Sequence, residues 1–155
     1  HGLLAGELQG ITQPALVLTP PDIPTDENDG LLSMEDIFEL NLHSTEWVIL
    51  SACNTAGSDG SGEGLSGLSR AFFFAGAKAL LVSQWSVDDE ATRVLMEQIF
   101  QRYSQASSKP PSKALREGIL ALFDEAASHA GKSYFAHPYA WAPFMLVGDG
   151  SGSPL

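Results

Sequence analysis

Three apolar runs of strand length constrain this chain more than any other feature: Trp47-Val48-Ile49-Leu50-Ser51-Ala52, Ala79-Leu80-Leu81-Val82-Ser83 and Trp141-Ala142-Pro143-Phe144-Met145-Leu146-Val147-Gly148. Each is nearly continuously apolar, so each is expected to be buried on both faces of a sheet. The segments between them are helical in pattern. After a glycine-rich stretch, Leu65, Leu68, Ala71, Phe72 and Ala75 recur at helical spacing, and Gly76 is placed to end that helix. From Asp88 onward Val94, Leu95, Ile99 and Phe100 describe one face, and Leu115, Ile119, Leu122 and Phe123 another, with a polar, proline-terminated linker from Ser104 to Pro111 between them. Strands alternating with helices point to a mostly parallel α/β sheet flanked by helices on both faces, with right-handed crossovers.

Upstream, Ala15-Leu16-Val17-Leu18-Thr19 is an apolar run bounded by prolines, and Gly30-Leu31-Leu32 offers a return strand. Ser33 followed by Glu35 and Asp36 reads as the N-cap of a helix carrying Ile37, Phe38 and Leu40 toward the core. At 155 residues and 44% hydrophobic content the chain is long enough for one ordinary core.

A formal net charge of -11, with only eight Lys and Arg, argues against direct nucleic-acid binding or attachment to an anionic membrane surface. The apolar stretches fall short of the roughly 20 residues that a membrane span needs. A single cysteine, Cys53, cannot build an internal disulfide framework or a cysteine-based zinc cluster, and the expected setting is the reducing cytoplasm. No metal or other cofactor is implied, because the histidines and acids lack ligand spacing.

Cys53 ends the first apolar run and opens the segment Asn54-Thr55-Ala56-Gly57-Ser58-Asp59-Gly60-Ser61-Gly62. A buried strand that delivers one thiol into a glycine-rich loop is how α/β enzymes present a nucleophile. The competing reading is a small buried hydrophobe. The loop lacks the ending of a P-loop, and no basic residue follows it until Arg70. A thiol needs a nearby imidazole or a helix N-terminus to ionise at neutral pH. Of His1, His43, His129 and His137, the first is the best candidate, because Gly2 beside it allows close backbone approach to a substrate oxygen. His137 precedes the final strand, which in a parallel sheet puts it at the end away from Cys53. Asp88, Asp89 and Glu90 follow the second apolar run, where they either line an acidic pocket with Trp85 and Ser86 or stabilise a helix N-terminus.

His1-Gly2, Ala15-Leu16-Val17-Leu18, Gly30-Leu31-Leu32 and Leu50-Ser51-Ala52-Cys53-Asn54-Thr55 resemble, in order, the CHAT family, caspase-like domains associated with tetratricopeptide repeats. Gly62-Glu63-Gly64-Leu65-Ser66-Gly67-Leu68, Val82-Ser83-Gln84-Trp85-Ser86-Val87-Asp88-Asp89-Glu90 and His137-Pro138-Tyr139-Ala140-Trp141-Ala142-Pro143-Phe144 continue the match to about residue 149. The resemblance implies a caspase-hemoglobinase-like fold whose upstream strands are missing from this chain. Residues 1–149 are then the C-terminal part of the domain and 150–155 a flexible tail. It also implies a cysteine endopeptidase of bacterial type, with a His1/Cys53 dyad and an oxyanion hole at the Gly2 and Cys53 backbone N–H groups. Trp85, Ser86, Asp88 and Asp89 are the candidate substrate pocket. The implied partners are a protein or peptide substrate and upstream repeats or a regulatory protein. Two alternatives are a catalytically idle caspase-like scaffold and a cysteine amidase or acyltransferase.

Overall fold

The computed structural model describes residues 2–3, 11–25, 28–50, 63–104 and 110–151. Among these residues twelve elements follow in order. They are β1 (Gly2–Leu3), β2 (Ala15–Val17), β3 (Leu31–Ser33), α1 (Met34–Glu39), β4 (Val48–Leu50), α2 (Glu63–Phe74), β5 (Ala79–Ser83), α3 (Asp89–Ser104), α4 (Pro111–Ser128), a 3-10 segment (Ala130–Ala136), α5 (Pro138–Trp141) and β6 (Phe144–Gly148).

Local chemistry explains most of the boundaries. Ser33 caps α1 in a reciprocal box, accepting from the Asp36 N–H at 3.2 Å while Asp36 Oδ2 accepts from the Ser33 N–H at 2.8 Å. Only Ile37 of the three apolar residues expected on that helix's inner face is buried; Phe38 and Leu40 are exposed, and Phe38 meets Phe74 edge to face at 5.1 Å. Gly76, at φ +105°, lets the chain leave α2, and its N–H donates to the Phe73 carbonyl. Pro111 opens α4 at a position where a missing N–H costs nothing.

The strands form two sheets of three. In one, β1, β2 and β3 pair antiparallel, with Leu16 opposite Gly2 and Leu32. In the other, β5 is central, parallel to β4 and antiparallel to β6. The expected mostly parallel sheet is therefore corrected to a mixed one. The reason lies in the connections: one helix, α2, returns the chain so that β5 runs with β4, whereas α3 and α4 lie between β5 and β6. A short link joins these two helices, and Gly118 of α4 faces Leu95 and Ile99 of α3. A helical hairpin brings the chain back to the rim it left, so β6 runs the other way. Trp141, expected in the last strand, belongs instead to the single turn α5, which Pro138 starts.

Helices do cover both faces of the central sheet. All five residues of β5 are buried. Leu80 and Val82 join Leu50, Leu68, Ala71, Phe72, Ile37 and Leu16 on the side of α1, α2 and the small sheet. Leu81 joins Val94, Leu95, Ile99, Leu122, Phe135 and Phe144 on the side of α3, α4 and the 3-10 segment. Each fully buried aliphatic side chain contributes about 1.5–3 kcal/mol. At the chain's far end the Gly150 carbonyl accepts from the N–H and hydroxyl of Ser112, serving an otherwise unpaired donor in the first turn of α4. Residues 152–155 of the expected tail lie outside the described residues, as does the Leu65 side chain.

Candidate functional site

Parallel pairing puts the carboxyl ends of β4 and β5, Leu50 and Ser83, at one rim of the sheet, and antiparallel pairing sets the first residue of β6, Phe144, opposite Ser83. Three segments therefore meet there: the chain leaving β4 toward Cys53, residues 84–88 leaving β5, and residues 137–143 arriving at β6. The Gln84 N–H donates to the Pro143 carbonyl at 3.0 Å, extending the β5–β6 ladder one step past the strands. His137 thus stands on the rim from which the chain departs toward Cys53, opposite to its place in an all-parallel sheet.

His1 and Cys53, expected to form the dyad, and residues 54–62 lie outside the described residues. Gly2 is described: it pairs with Leu16 as the first residue of β1. His43 lies at the other rim, packed against Gly76, and His129 is exposed, with Nδ1 3.3 Å from Glu125 Oε2.

At the rim where β4 and β5 end, a cleft of about 270 Å³ is lined by Asp88, Tyr134, His137, Tyr139 and Ala140. Asp88 caps α3, its Oδ1 accepting from the Ala91 N–H at 2.8 Å. Tyr134 donates its hydroxyl to Glu90 at 3.1 Å and lies 3.4 Å from Asp88 Oδ1. Desolvation, those hydrogen bonds and the two carboxylate charges push its phenol up to about 12, so it stays a neutral donor. His137 caps α5 by accepting the Tyr139 N–H at Nδ1, 3.2 Å away, so the neutral ring carries its proton on Nε2.

Of the four residues expected to form the pocket, Asp88 lines this cleft. Trp85 stands beside it, its ring 6.5 Å from that of Tyr139, with a buried indole N–H that finds no acceptor among the described residues. Ser86 and Asp89 are exposed and are not among the lining residues. The acids serve the helix end as well: Asp88 is the cap and Asp89 and Glu90 occupy the first turn. The expected parallel strand direction sent His137 to the wrong rim, and nothing in the sequence singled out Tyr134 or Tyr139. Among the described residues no three His, Cys, Asp or Glu side chains converge to hold a metal, and no helix is long and apolar enough to cross a membrane.

A family model for the CHAT domain matches residues 1–149. The chain is 31% identical over 119 residues to tetratricopeptide repeat protein 28 of Homo sapiens, and equally so to the protein of that name in Mus musculus. The alignment takes in 77% of this chain and 4% of each relative, so the chain spans a small fraction of those proteins. Both are mammalian, and the bacterial type implied by the resemblance is not supported. No solved structure matches.

Proposed function

The chain belongs to the CHAT domain family, which is caspase-like, peptidase-related and associated with tetratricopeptide repeat proteins, and on that premise we propose that it is a cysteine endopeptidase domain working through His1 and Cys53. The observation that carries this reading is the extent of the family match, which runs over residues 1–149 and so includes both His1 and Cys53. The topology supports it: β4 stops at Leu50, three residues before Cys53, at the carboxyl rim where α/β sheets bind ligands. α2 begins at Glu63, just beyond the loop, and the positive end of a helix favours a thiolate over a thiol.

In this mechanism the Cys53 thiol yields its proton to His1, and the sulfur adds to the scissile carbonyl carbon. The negative oxygen that forms is held by the Gly2 and Cys53 N–H groups, each such donor contributing about 3 kcal/mol of transition-state stabilisation. Collapse of this intermediate breaks the C–N bond, and the His1 imidazolium gives its proton to the departing amine. Water, deprotonated by His1, then hydrolyses the thioester, releasing the acid and restoring the thiol. A working thiol of this kind suits a cytoplasmic, reducing setting, and upstream helical repeats select the target.

The test is cleavage of a peptide library by the native protein, with Cys53→Ala and His1→Ala each lowering turnover by about 10⁴-fold. Alkylation of Cys53 at pH 6 should outpace that of free cysteine. A reactive thiol without peptide cleavage overturns the peptidase reading in favour of an amidase or acyltransferase. A sluggish thiol without turnover overturns it in favour of an idle scaffold.

A further inference from the structure

We propose that the outer edge of β6, with the apolar groove beside it on α4, receives an extended, acidic segment of a partner protein as an added antiparallel strand; the inference stands apart from the peptidase reading above. The edge follows from the ladder. Gln84 and Asp149 donate their N–H groups to the Pro143 and Lys78 carbonyls, and these two pairs continue the β5–β6 register by one step at each end. Bonded and non-bonded pairs alternate in an antiparallel ladder, so Met145 and Val147 turn their backbone groups toward β5, whereas Phe144, Leu146 and Gly148 turn theirs outward. Among the described residues no strand pairs with that side.

Nothing in the strand guards this edge. Exposed edges are normally blunted by a charge, a proline or a bulge. Phe144-Met145-Leu146-Val147-Gly148 contains neither charge nor proline, and its five pairs with β5 run without a bulge. A row of outward N–H and C=O groups is matched by another extended chain, and a helix, whose own groups are spent internally, cannot match it. Antiparallel pairing is the more stable per residue.

The groove selects the guest. Ser112, Leu115, Arg116, Ile119, Leu120 and Leu146 surround about 260 Å³ between α4 and β6. Leu146 belongs to both features: its backbone faces the guest strand and its side chain lines the groove. Residues opposite one another in an antiparallel pair share a face, so the guest residue across from Leu146 enters the groove, where Leu115, Ile119 and Leu120 suit an aliphatic side chain. Arg116 is the one charged lining residue, exposed and without an ion pair among the described residues. A carboxylate two positions along the guest lies on that same face and can reach it. A second copy is the poorer occupant, because it would set one net charge of -11 against another.

The probe is the acetylated, amidated peptide Val-Thr-Leu-Thr-Glu, titrated by NMR into the native protein carrying Cys53→Ala. Binding should slow hydrogen exchange at the Leu146 amide by about tenfold or more, and leave Met145 and Val147, already bonded to β5, unchanged. N-methylation of the central leucine, whose N–H faces the edge, should weaken binding about tenfold, and N-methylation of the first threonine, whose N–H points away, should not. Leu120→Glu, at a position 43% exposed, should weaken it by a similar factor. Arg116→Gln should cost about threefold with this peptide and nothing with its glutamine counterpart. No binding, equal effects of the two N-methylations, or affinity untouched by Leu120→Glu overturns the inference. So does a Leu146 amide already protected without peptide, which would mean that a second copy or residues 152–155 cover the edge; sedimentation and deletion of those residues tell the two apart.

Discussion

Replacing Gly118 by alanine sets two effects of opposite sign against each other. Gly118 lies within α4, where alanine is favoured over glycine by about 1 kcal/mol. A methyl group there would stand 2.6 Å from Ile99 Cγ1 and 3.3 Å from Leu95 Cδ1. Carbon atoms prefer about 3.5–4.0 Å, Ile99 is wholly buried, and its branched side chain has little freedom at χ1. Overpacking of this kind costs about 1–3 kcal/mol, and the 2.6 Å approach places Gly118→Ala in the upper part of that range. The net loss should be about 1–2 kcal/mol, lowering Tm by roughly 3–6 °C in a domain of this size. Urea unfolding followed by tryptophan fluorescence reads it directly. In an Ile99→Ala background the obstructing carbon is gone, so Gly118→Ala should reverse sign and stabilise by up to about 1 kcal/mol. Gly131→Ala, where an added methyl meets nothing within 4 Å, is the control and should stay within about 0.5 kcal/mol. A raised midpoint for Gly118→Ala alone, or the same change in both backgrounds, would refute the reasoning.

Gly76→Ala should cost about 3 kcal/mol or more, because a side chain at φ +105° is strained and its Cβ would fall 2.6–3.0 Å from His43 Nδ1, N and Cα; a loss under 1 kcal/mol in urea titration would contradict this. Burial and a hydrogen bond to Glu46 push Tyr103 up to about 12, and the raised value means that the folded state holds the phenol proton more tightly than the unfolded state. That stability is present below about pH 10 and is lost as pH rises toward 12. Tyr103→Phe should therefore flatten the alkaline fall of the urea midpoint, and an unchanged slope would sink the assignment.

The sequence made the elements legible wherever one residue dominated the local choice. Ser33 with Asp36 fixed the start of α1, Gly76 the end of α2, and the unbroken apolarity of Ala79 to Ser83 a strand buried on both faces. Apolarity alone misled at the surface. Phe38 and Phe100 share helices with core residues yet stay exposed, Phe38 lying against Phe74 and Phe100 6.5 Å from Trp47. Strand direction was not legible, because a continuous apolar run looks the same read either way. The clue was the number of helices between strands: one before β5, and a two-helix hairpin before β6. That single error hid His137 from the cleft, although His137-Pro138-Tyr139 stood among the residues that carry the family resemblance.

The cleft walls leave the sheet on adjacent strands, so their mutual placement is inherited from how β5 and β6 are aligned. On a ladder whose central strand is greasy on both sides, burial cannot choose between neighbouring alignments as it does in a half-wet sheet. The choice falls to the two ends. Pro143 precedes the first paired residue, and Gly148, at φ +95°, closes the last, where any Cβ would come within 2.6 Å of the Lys78 carbonyl. A slide of one residue would displace Asp88 from Tyr139 by about 3.4 Å, enough to dismantle the cleft while leaving the helices intact. Two residues outside the cleft, one ring and one missing side chain, thereby act as its alignment stops.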